Sequence, residues 1–287
     1  MDQPRHQWLP PVSPTPAPAP EPMPPAPART PPGWRRLLGP VGVALVFLFT
    51  KGKALLLLLP KLKLLSTSAT MLVSIGAYSL IWGWRFAVGF VLLLLVHELG
   101  HVIQLRREGI PASAPMFIPF LGAVVAAKSL GGNALAEARV GLAGPILGTL
   151  GAAVLLPIAL ATDSELLRAL AFTGFFLNLF NLAPVLPLDG GRAMAAMAPW
   201  MWFVGFGVLL GATIAFPNPI MILILLLGGM ETWRRWKLRR SGDEEQAEYY
   251  RVPPRARLAV AAVYVGLIVV LAIGMDVTFL ARDFGDA

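Results

Sequence analysis

The chain has 287 residues, of which 56% are hydrophobic and 14% are charged, and its formal net charge is +8. Soluble domains carry about 25% charged residues, so this composition excludes an ordinary soluble domain and predicts a polytopic membrane protein. The positive-inside rule accounts for the excess of Lys and Arg, and no basic stretch is interleaved with aromatic residues as on a nucleic-acid surface. The absence of cysteine excludes both a disulfide framework and a thiolate zinc site.

The N-terminal region divides into two segments. Residues 1–33 are dominated by Pro and Ala, a composition that cannot bury enough surface to fold and predicts a disordered cytoplasmic tail. In the following segment, 34–69, the apolar stretch 39–59 is interrupted by Lys51 and Lys53. Basic residues in the middle and at both ends of this stretch argue against a crossing and predict an interfacial or re-entrant element.

Later apolar runs predict an all-α membrane protein with about six transmembrane helices. The helical segments are expected at 70–84, 86–106, 138–160, 166–186, 199–216, 219–232 and 258–275. Prolines 184 and 187 should break the 166–186 segment at its end. The chain from residue 70 onward is predicted to divide into four segments. These are the core (70–192), a helical pair (193–232), a polar cytoplasmic segment (233–257) and the C-terminal transmembrane helix (258–287).

Residues 109–128 have a different pattern. Pro111, Pro115 and Pro119 forbid a long helix there. The run 117–125 is typical of a strand, a turn and a second strand, and we expect a hairpin that enters the membrane. Exposed backbone at that depth is tolerated only where protein or a cavity covers it.

The motif His97-Glu98-Leu99-Gly100-His101 ends the apolar run that starts at residue 86. Two of the three histidines in the chain therefore lie four residues apart, on one face of a helix. This H-E-x-x-H spacing suits two imidazoles on one zinc ion, with Glu98 placed about 100° round the helix to take a proton from zinc-bound water. Ionisable groups are costly inside a membrane, so the motif indicates a metal hydrolase.

A catalytic zinc ion needs a third protein ligand, which must here be a carboxylate. The candidates are Asp189, Glu137, Glu165 and Glu231. If the basic pair 106–107 faces the cytoplasm, charge counting puts the 162–165 turn outside and residues 189–192 inside. Asp189 then shares a side and depth with the histidines, whereas Glu165 is on the wrong side.

A second motif is the run from Asn181 to Gly190, which reads N-x-x-P-x-x-x-x-D-G. Together the two motifs resemble the site-2 protease family of intramembrane zinc metalloproteases, over about residues 70–192. The resemblance implies one Zn²⁺ held by His97, His101 and Asp189, with Glu98 as the general base. It also implies that Asn181 holds the substrate or stabilises the oxyanion.

The resemblance extends to Ala143-Gly144-Pro145, but Gly148 stands where relatives often carry Asn. The short 106–139 connection and the short 276–287 tail lead us to expect a compact form without a PDZ or CBS domain. The hairpin would capture an unwound substrate as an added strand. Its expected substrate-binding residues are Phe117, Ile118, Phe120, Leu121 and Gly122.

We therefore expect an integral protein of a bacterial-type cell membrane whose active site lies near the cytoplasmic side. Its substrate would be a transmembrane protein, and by family analogy a membrane-tethered regulator or an anti-sigma factor. One alternative is a membrane zinc protease of another family that uses Glu137 or Glu231 as its third ligand. Another is a non-catalytic protein that binds membrane helices. A transporter is disfavoured because no inverted repeat of broken helices is evident.

Overall fold

The computed structural model describes residues 67–127 and 131–280. The predicted tail 1–33 and the apolar stretch 39–59 lie outside these described residues. The described chain is mostly helical and has a small antiparallel sheet. Its elements are α1 (Thr67–Trp82), α2 (Trp84–Arg107), β1 (Met116–Ile118), β2 (Gly122–Val124), α3 (Ala134–Thr162), α4 (Glu165–Asn181), α5 (Asp189–Met197), α6 (Met201–Ala215), α7 (Pro219–Arg240), α8 (Glu244–Tyr249) and α9 (Pro254–Thr278).

Three described helices are long and apolar enough to cross a membrane: α2, α3 and α9. Two further apolar helices, α1 and α6, have 16 and 15 residues, fewer than the roughly 20 that a perpendicular crossing needs. The predicted helical segments are found, and most of them differ from the prediction only by a few residues at their ends.

The fourth helix ends earlier than predicted. The sequence suggested a span over 166–186, but α4 stops at Asn181 and an irregular turn runs to Leu188. Pro184 and Pro187 account for this end, since proline lacks the N–H that a helix needs and disfavours helical geometry in the residue before it. The chain becomes helical again at Asp189, so this residue opens α5.

The seventh helix extends further than predicted. Instead of ending near residue 232, α7 continues through the polar sequence to Arg240. The side chain of Glu231 pairs with Arg234 and Arg235, three and four residues along, at 2.6 and 2.8 Å. Such spacings place partners on one helix face, so the charged residues support the helix rather than end it.

The hairpin has the predicted strand–turn–strand form. Strands β1 and β2 pair antiparallel, with Phe117 opposite Ala123. Leu121 donates its N–H to the carbonyl of Ile118 at 3.1 Å, which closes the turn. The N–H of Phe120 bonds to the hydroxyl oxygen of Tyr78 at 3.0 Å, so the tip of the hairpin is fixed on α1.

Helix α3 lies at the centre of the bundle and packs against α2, α4, α5 and α9. Its contact with α2 is close: a Cβ added at Gly100 would lie 2.2 Å from the carbonyl oxygen of Ala143. Small residues allow helices in a membrane protein to approach to this distance. This packing brings the histidine face of α2 against the first half of α3.

Candidate metal centre

The two histidines of the H-E-x-x-H motif meet the aspartate of the second motif. On α2, the Nε2 atoms of His97 and His101 are 3.2 Å apart. The Oδ2 atom of Asp189, on α5, lies 3.1 Å from the first of these nitrogens and 3.3 Å from the second. All three side chains are buried. Three potential ligand atoms thus form a nearly equilateral triangle inside the protein.

The triangle has the dimensions of a zinc site. A tetrahedral zinc ion about 2.0–2.1 Å from each donor separates the donors by about 3.3–3.4 Å. The three measured separations differ from this value by a few tenths of an ångström or less. Two imidazoles and a carboxylate are also donors that zinc accepts, and three protein ligands leave the fourth position open for water or substrate. The residues present therefore fit a catalytic zinc ion.

Both imidazole rings are oriented by hydrogen bonds from their Nδ1 atoms. His101 donates from Nδ1 to the carbonyl oxygen of Val140 on α3, at 2.8 Å. His97 donates from Nδ1 to Oδ1 of Asn178 on α4, also at 2.8 Å. A histidine that carries its proton on Nδ1 leaves Nε2 free as a ligand, and such partners commonly fix the tautomer at metal sites.

Asp189 is the first residue of α5 and is only 6% exposed, so it does not lie in a surface turn. Its Oδ1 atom is 3.8 Å from Nη1 of Arg192, one turn along the helix. The indole N–H of Trp202 donates to the carbonyl of Gly191 at 2.6 Å. Helix α5 therefore presents one carboxylate oxygen to the histidines while its neighbours hold the helix in place.

Glu98 follows the first histidine and is also buried, at 9% exposure. In the described part of the chain, its side chain makes no hydrogen bond or ion pair. A buried carboxylate next to the ligand triangle that is not engaged in a hydrogen bond is suited to accept and return a proton.

Space for His101 depends on a glycine of α3. A Cβ at Gly144 would lie 2.2 Å from Nε2 and 2.4 Å from Cε1 of this imidazole. The Ala143-Gly144-Pro145 run noted in the sequence therefore has a local function, since the bare backbone of Gly144 receives the ring of a ligand.

The other candidate third ligands lie elsewhere. Glu137 accepts two hydrogen bonds from Arg235, at 2.7 and 2.9 Å, and one from the Tyr249 hydroxyl at 2.6 Å. Burial and the neighbouring Glu137 carboxylate raise the pKa of Tyr249, so its hydroxyl stays protonated and donates. Glu231 pairs with Arg235 as well, and Glu165 is in the first turn of α4. Among the described residues, only Asp189 joins the histidines in a metal-ligand group.

The predicted substrate-binding residues have different surroundings. Asn181 donates its side-chain N–H to the carbonyl of Leu177 at 3.1 Å, and it has no hydrogen bond to the ligand group. The side chain of Phe117 is buried in a cluster with residues of α1 and α2. Ile118 and Gly122 are partly buried, whereas Phe120 and Leu121 are about half exposed.

Two groups that orient the histidines were missed in the sequence analysis: Asn178 and the carbonyl of Val140. The carbonyl leaves no signal in a sequence. Asn178, however, is a polar residue in the apolar run 175–180, and a polar side chain in such a run indicates a specific partner.

Taken together, the ligand triangle, the oriented imidazoles and the adjacent glutamate define a candidate centre of the zinc-hydrolase type. Residues 85–164 match the model of Peptidase family M50. The chain is 32% identical over 129 residues to "Zinc metalloprotease MJ0392" of Methanocaldococcus jannaschii, across 43% of this chain and 37% of that protein. It is also 32% identical over 179 residues to "Putative zinc metalloprotease Rip3" of Mycobacterium tuberculosis, across 56% of this chain and 44% of that protein.

Residues 85–164 are thus similar to peptidase family M50, the family of the site-2 proteases. The matched region contains H-E-x-x-H and the glycine-rich helix α3, and it ends before Asp189. The chain spans less than half the length of each of these two relatives.

Proposed function

We propose that the protein is an intramembrane zinc metalloendopeptidase that cleaves a peptide bond within or near a transmembrane segment of another protein. The observation that carries this proposal is the buried triangle of His97, His101 and Asp189 beside Glu98. Its two histidines belong to a helix long and apolar enough to cross a membrane. The names of the relatives support the class of the reaction.

The side chains have two different roles in the proposed hydrolysis, metal binding and proton transfer. His97, His101 and Asp189 would hold the zinc ion, which when bound lowers the pKa of a coordinated water toward 7 and polarises a carbonyl. Glu98 takes the proton that the attacking water loses and delivers it to the nitrogen of the leaving amine. Burial of Glu98 keeps bulk water from competing for this proton.

The proposed topology has about six transmembrane helices and places the active site near the cytoplasmic side of a bacterial-type cell membrane. Ion pairs connect the ends of helices that the charge pattern assigns to the cytoplasmic side. Glu108, after α2, lies 3.6 Å from Arg139 at the start of α3. Glu137 binds Arg235 near the end of α7 at 2.7 Å. These contacts support one common side for the three helix ends.

The hairpin is the proposed docking strand for an unwound substrate. The N–H of Phe117 donates to Oγ1 of Thr70 at 3.3 Å, which means that it points away from β2. The pair Phe117–Ala123 is then of the non-hydrogen-bonded type, and the N–H and C=O of Ala123 point outward from the other edge of the sheet. A substrate strand would be added at this outer edge of β2. We propose a membrane protein as substrate, such as a membrane-tethered regulator or an anti-sigma factor.

The proposal is tested by the substitution Glu98→Gln in the full-length protein. Membrane proteomes of cells that make the wild type or the variant are compared for single-pass proteins shortened within or near the transmembrane segment. We expect shortened products only with the wild type, whereas purified Glu98→Gln retains zinc because the three ligands remain.

A variant protein that produces the same shortened products would contradict the proposed role of Glu98. If both proteins bind zinc and neither yields a shortened product, while both support the same cellular function, the non-catalytic alternative is favoured. Asp189→Ala is the matched variant for the metal: it should lose zinc, whereas a centre with a glutamate as third ligand would retain it.

A further inference from the structure

Asn178 is held in a single orientation beside a metal ligand. Its Oδ1 atom accepts the hydrogen bond from Nδ1 of His97 at 2.8 Å, and its Nδ2 atom donates to the carbonyl of Gly174 at 2.7 Å. Both residues of the pair are at most 3% exposed. Because the amide nitrogen is engaged one turn back on α4, the amide oxygen must face the imidazole. Nδ1 of His97 therefore carries the proton, and Nε2 is free.

The amide of Asn178 occupies space left by a glycine on the neighbouring helix. A Cβ at Gly148 of α3 would lie 2.2 Å from Oδ1 and 2.7 Å from Nδ2 of the asparagine. Non-bonded contacts of a Cβ atom below 3.0 Å are essentially never found, so the amide would have to shift. Any side chain at position 148 would consequently displace the amide that holds His97.

General helix packing does not account for Gly148. A Cβ at Gly174 would meet Ala152, and one at Gly151 would meet Val96, as expected where helices simply approach closely. The three atoms nearest to a Cβ at Gly148 all belong to the amide of Asn178. The absence of a side chain at 148 thus accommodates one specific polar group.

The two ligand histidines differ in how they are oriented. His101 relies on a backbone carbonyl, that of Val140, which side-chain substitution does not delete. His97 relies on a side chain from another helix, so its orientation depends on the identity of residue 178. This makes His97 the imidazole whose hydrogen-bond partner can be removed by substituting a residue that is not itself a ligand.

We propose that Asn178 is a positioning residue of the metal centre: it fixes the tautomer and orientation of His97, and Gly148 is required to admit its amide. This inference rests on the metal-binding part of the proposed function and does not depend on proteolysis. Partners of this kind typically change metal affinity 10–100-fold when they are removed.

The test uses the purified full-length protein in detergent and measures zinc affinity by competition with a chromophoric chelator. Asn178→Leu fills a similar volume but accepts no hydrogen bond, and Gly148→Ala displaces the amide without altering it. We expect each substitution to weaken zinc binding about 10–100-fold. Asn178→Ala is made as well, and the double variant Gly148→Ala/Asn178→Ala should bind zinc no more weakly than Gly148→Ala or Asn178→Ala alone, since both changes remove the same interaction.

Two controls and a spectroscopic readout separate positioning from folding. Gly151→Ala adds the same methyl group on α3, and Asn181→Ala removes an amide on α4 that does not contact His97; both should bind zinc within threefold of the wild type. Cobalt substitution should give an altered visible absorption spectrum for Asn178→Leu and Gly148→Ala, because the ligand geometry changes. Loss of packing alone would lower thermal stability but leave that spectrum unchanged.

Wild-type affinity and cobalt spectra in both Asn178→Leu and Gly148→Ala would overturn the positioning role. The positioning role would also be overturned if the loss of zinc affinity in the double variant equalled the sum of the losses in the two single variants, expressed as free energies. A wild-type protein that binds no zinc would instead refute the metal centre itself. The two failures are thereby distinguishable.

Discussion

The substitution Gly144→Ala tests how tightly α3 fits the metal centre. The new methyl carbon would lie 2.2 Å from Nε2 of His101, whereas ordinary contact begins near 3.4 Å. The imidazole would have to withdraw by about 1.2 Å, the difference between these distances. The helices cannot easily separate instead, because Gly100 already packs against the backbone of Ala143.

Metal–ligand distances tolerate changes of only about 0.2 Å. A displacement several times larger removes His101 as a ligand, so we expect zinc affinity to fall more than 100-fold, beyond the typical effect of losing an orienting partner. Chelator competition on the purified full-length protein measures this loss, and cleavage should disappear with it.

The matched control is Gly151→Ala, two turns further along α3. Its methyl carbon would meet Cγ1 of Val96 at 3.0 Å, a side-chain methyl and not a ligand. This variant should bind zinc within threefold of the wild type. If Gly144→Ala binds zinc as tightly as Gly151→Ala does, the close fit between α3 and His101 is refuted.

Two further predictions concern the hairpin and the ion pairs of Glu137 and Glu248. Ala123→Pro removes the outward N–H of β2 and should slow cleavage of a substrate identified by proteomics about five- to tenfold, with zinc retained. Ala123→Ser keeps this N–H and is the control. Equal cleavage rates for the two variants would contradict strand addition at this edge. Glu137→Ala leaves the largely buried Arg235 with one carboxylate partner fewer and should destabilise the protein by about 3 kcal/mol in thermal unfolding. Glu248→Ala breaks only the exposed pair with Arg251 and should lower the free energy of unfolding by less than about 1 kcal/mol. Equal losses of stability in the two variants would contradict the view that burial makes the Glu137–Arg235 pair important.

The sequence was most informative where a pattern repeats with a fixed period or spacing. Apolar runs predicted the helices, frequent prolines predicted the hairpin, and the two motifs named the residues that the fold brings together. Helix ends were less predictable: α4 stops at Asn181 because two prolines follow, and α7 runs on to Arg240 because Glu231 pairs along its own helix. Both ends depend on local contacts that hydropathy does not reflect.

Orientation within the site was not predictable from motifs, and Asn181 illustrates the reason. The motif includes Asn181, for which a substrate or oxyanion role was expected, and its amide bonds to its own helix; the residue that accepts the hydrogen bond of His97 is Asn178, three residues earlier and outside the motif. Which of two nearby polar residues faces a neighbouring helix depends on the rotation of α4 against α3. That rotation is set by packing between distant segments.

Helix α3 shows most clearly what a motif search cannot find. It contributes no side chain to the ligand triangle, but it supplies the carbonyl of Val140 to one histidine. A Cβ added at Gly141 would lie 2.8 Å from the carbonyl oxygen of Asp189. In the same way, a Cβ at Gly144 would meet the ring of His101, and one at Gly148 would meet the amide of Asn178. Each absent side chain is thus matched to one polar group of the centre. The departure at Gly148, which the sequence left without a reason, is explained by the amide that fills its place.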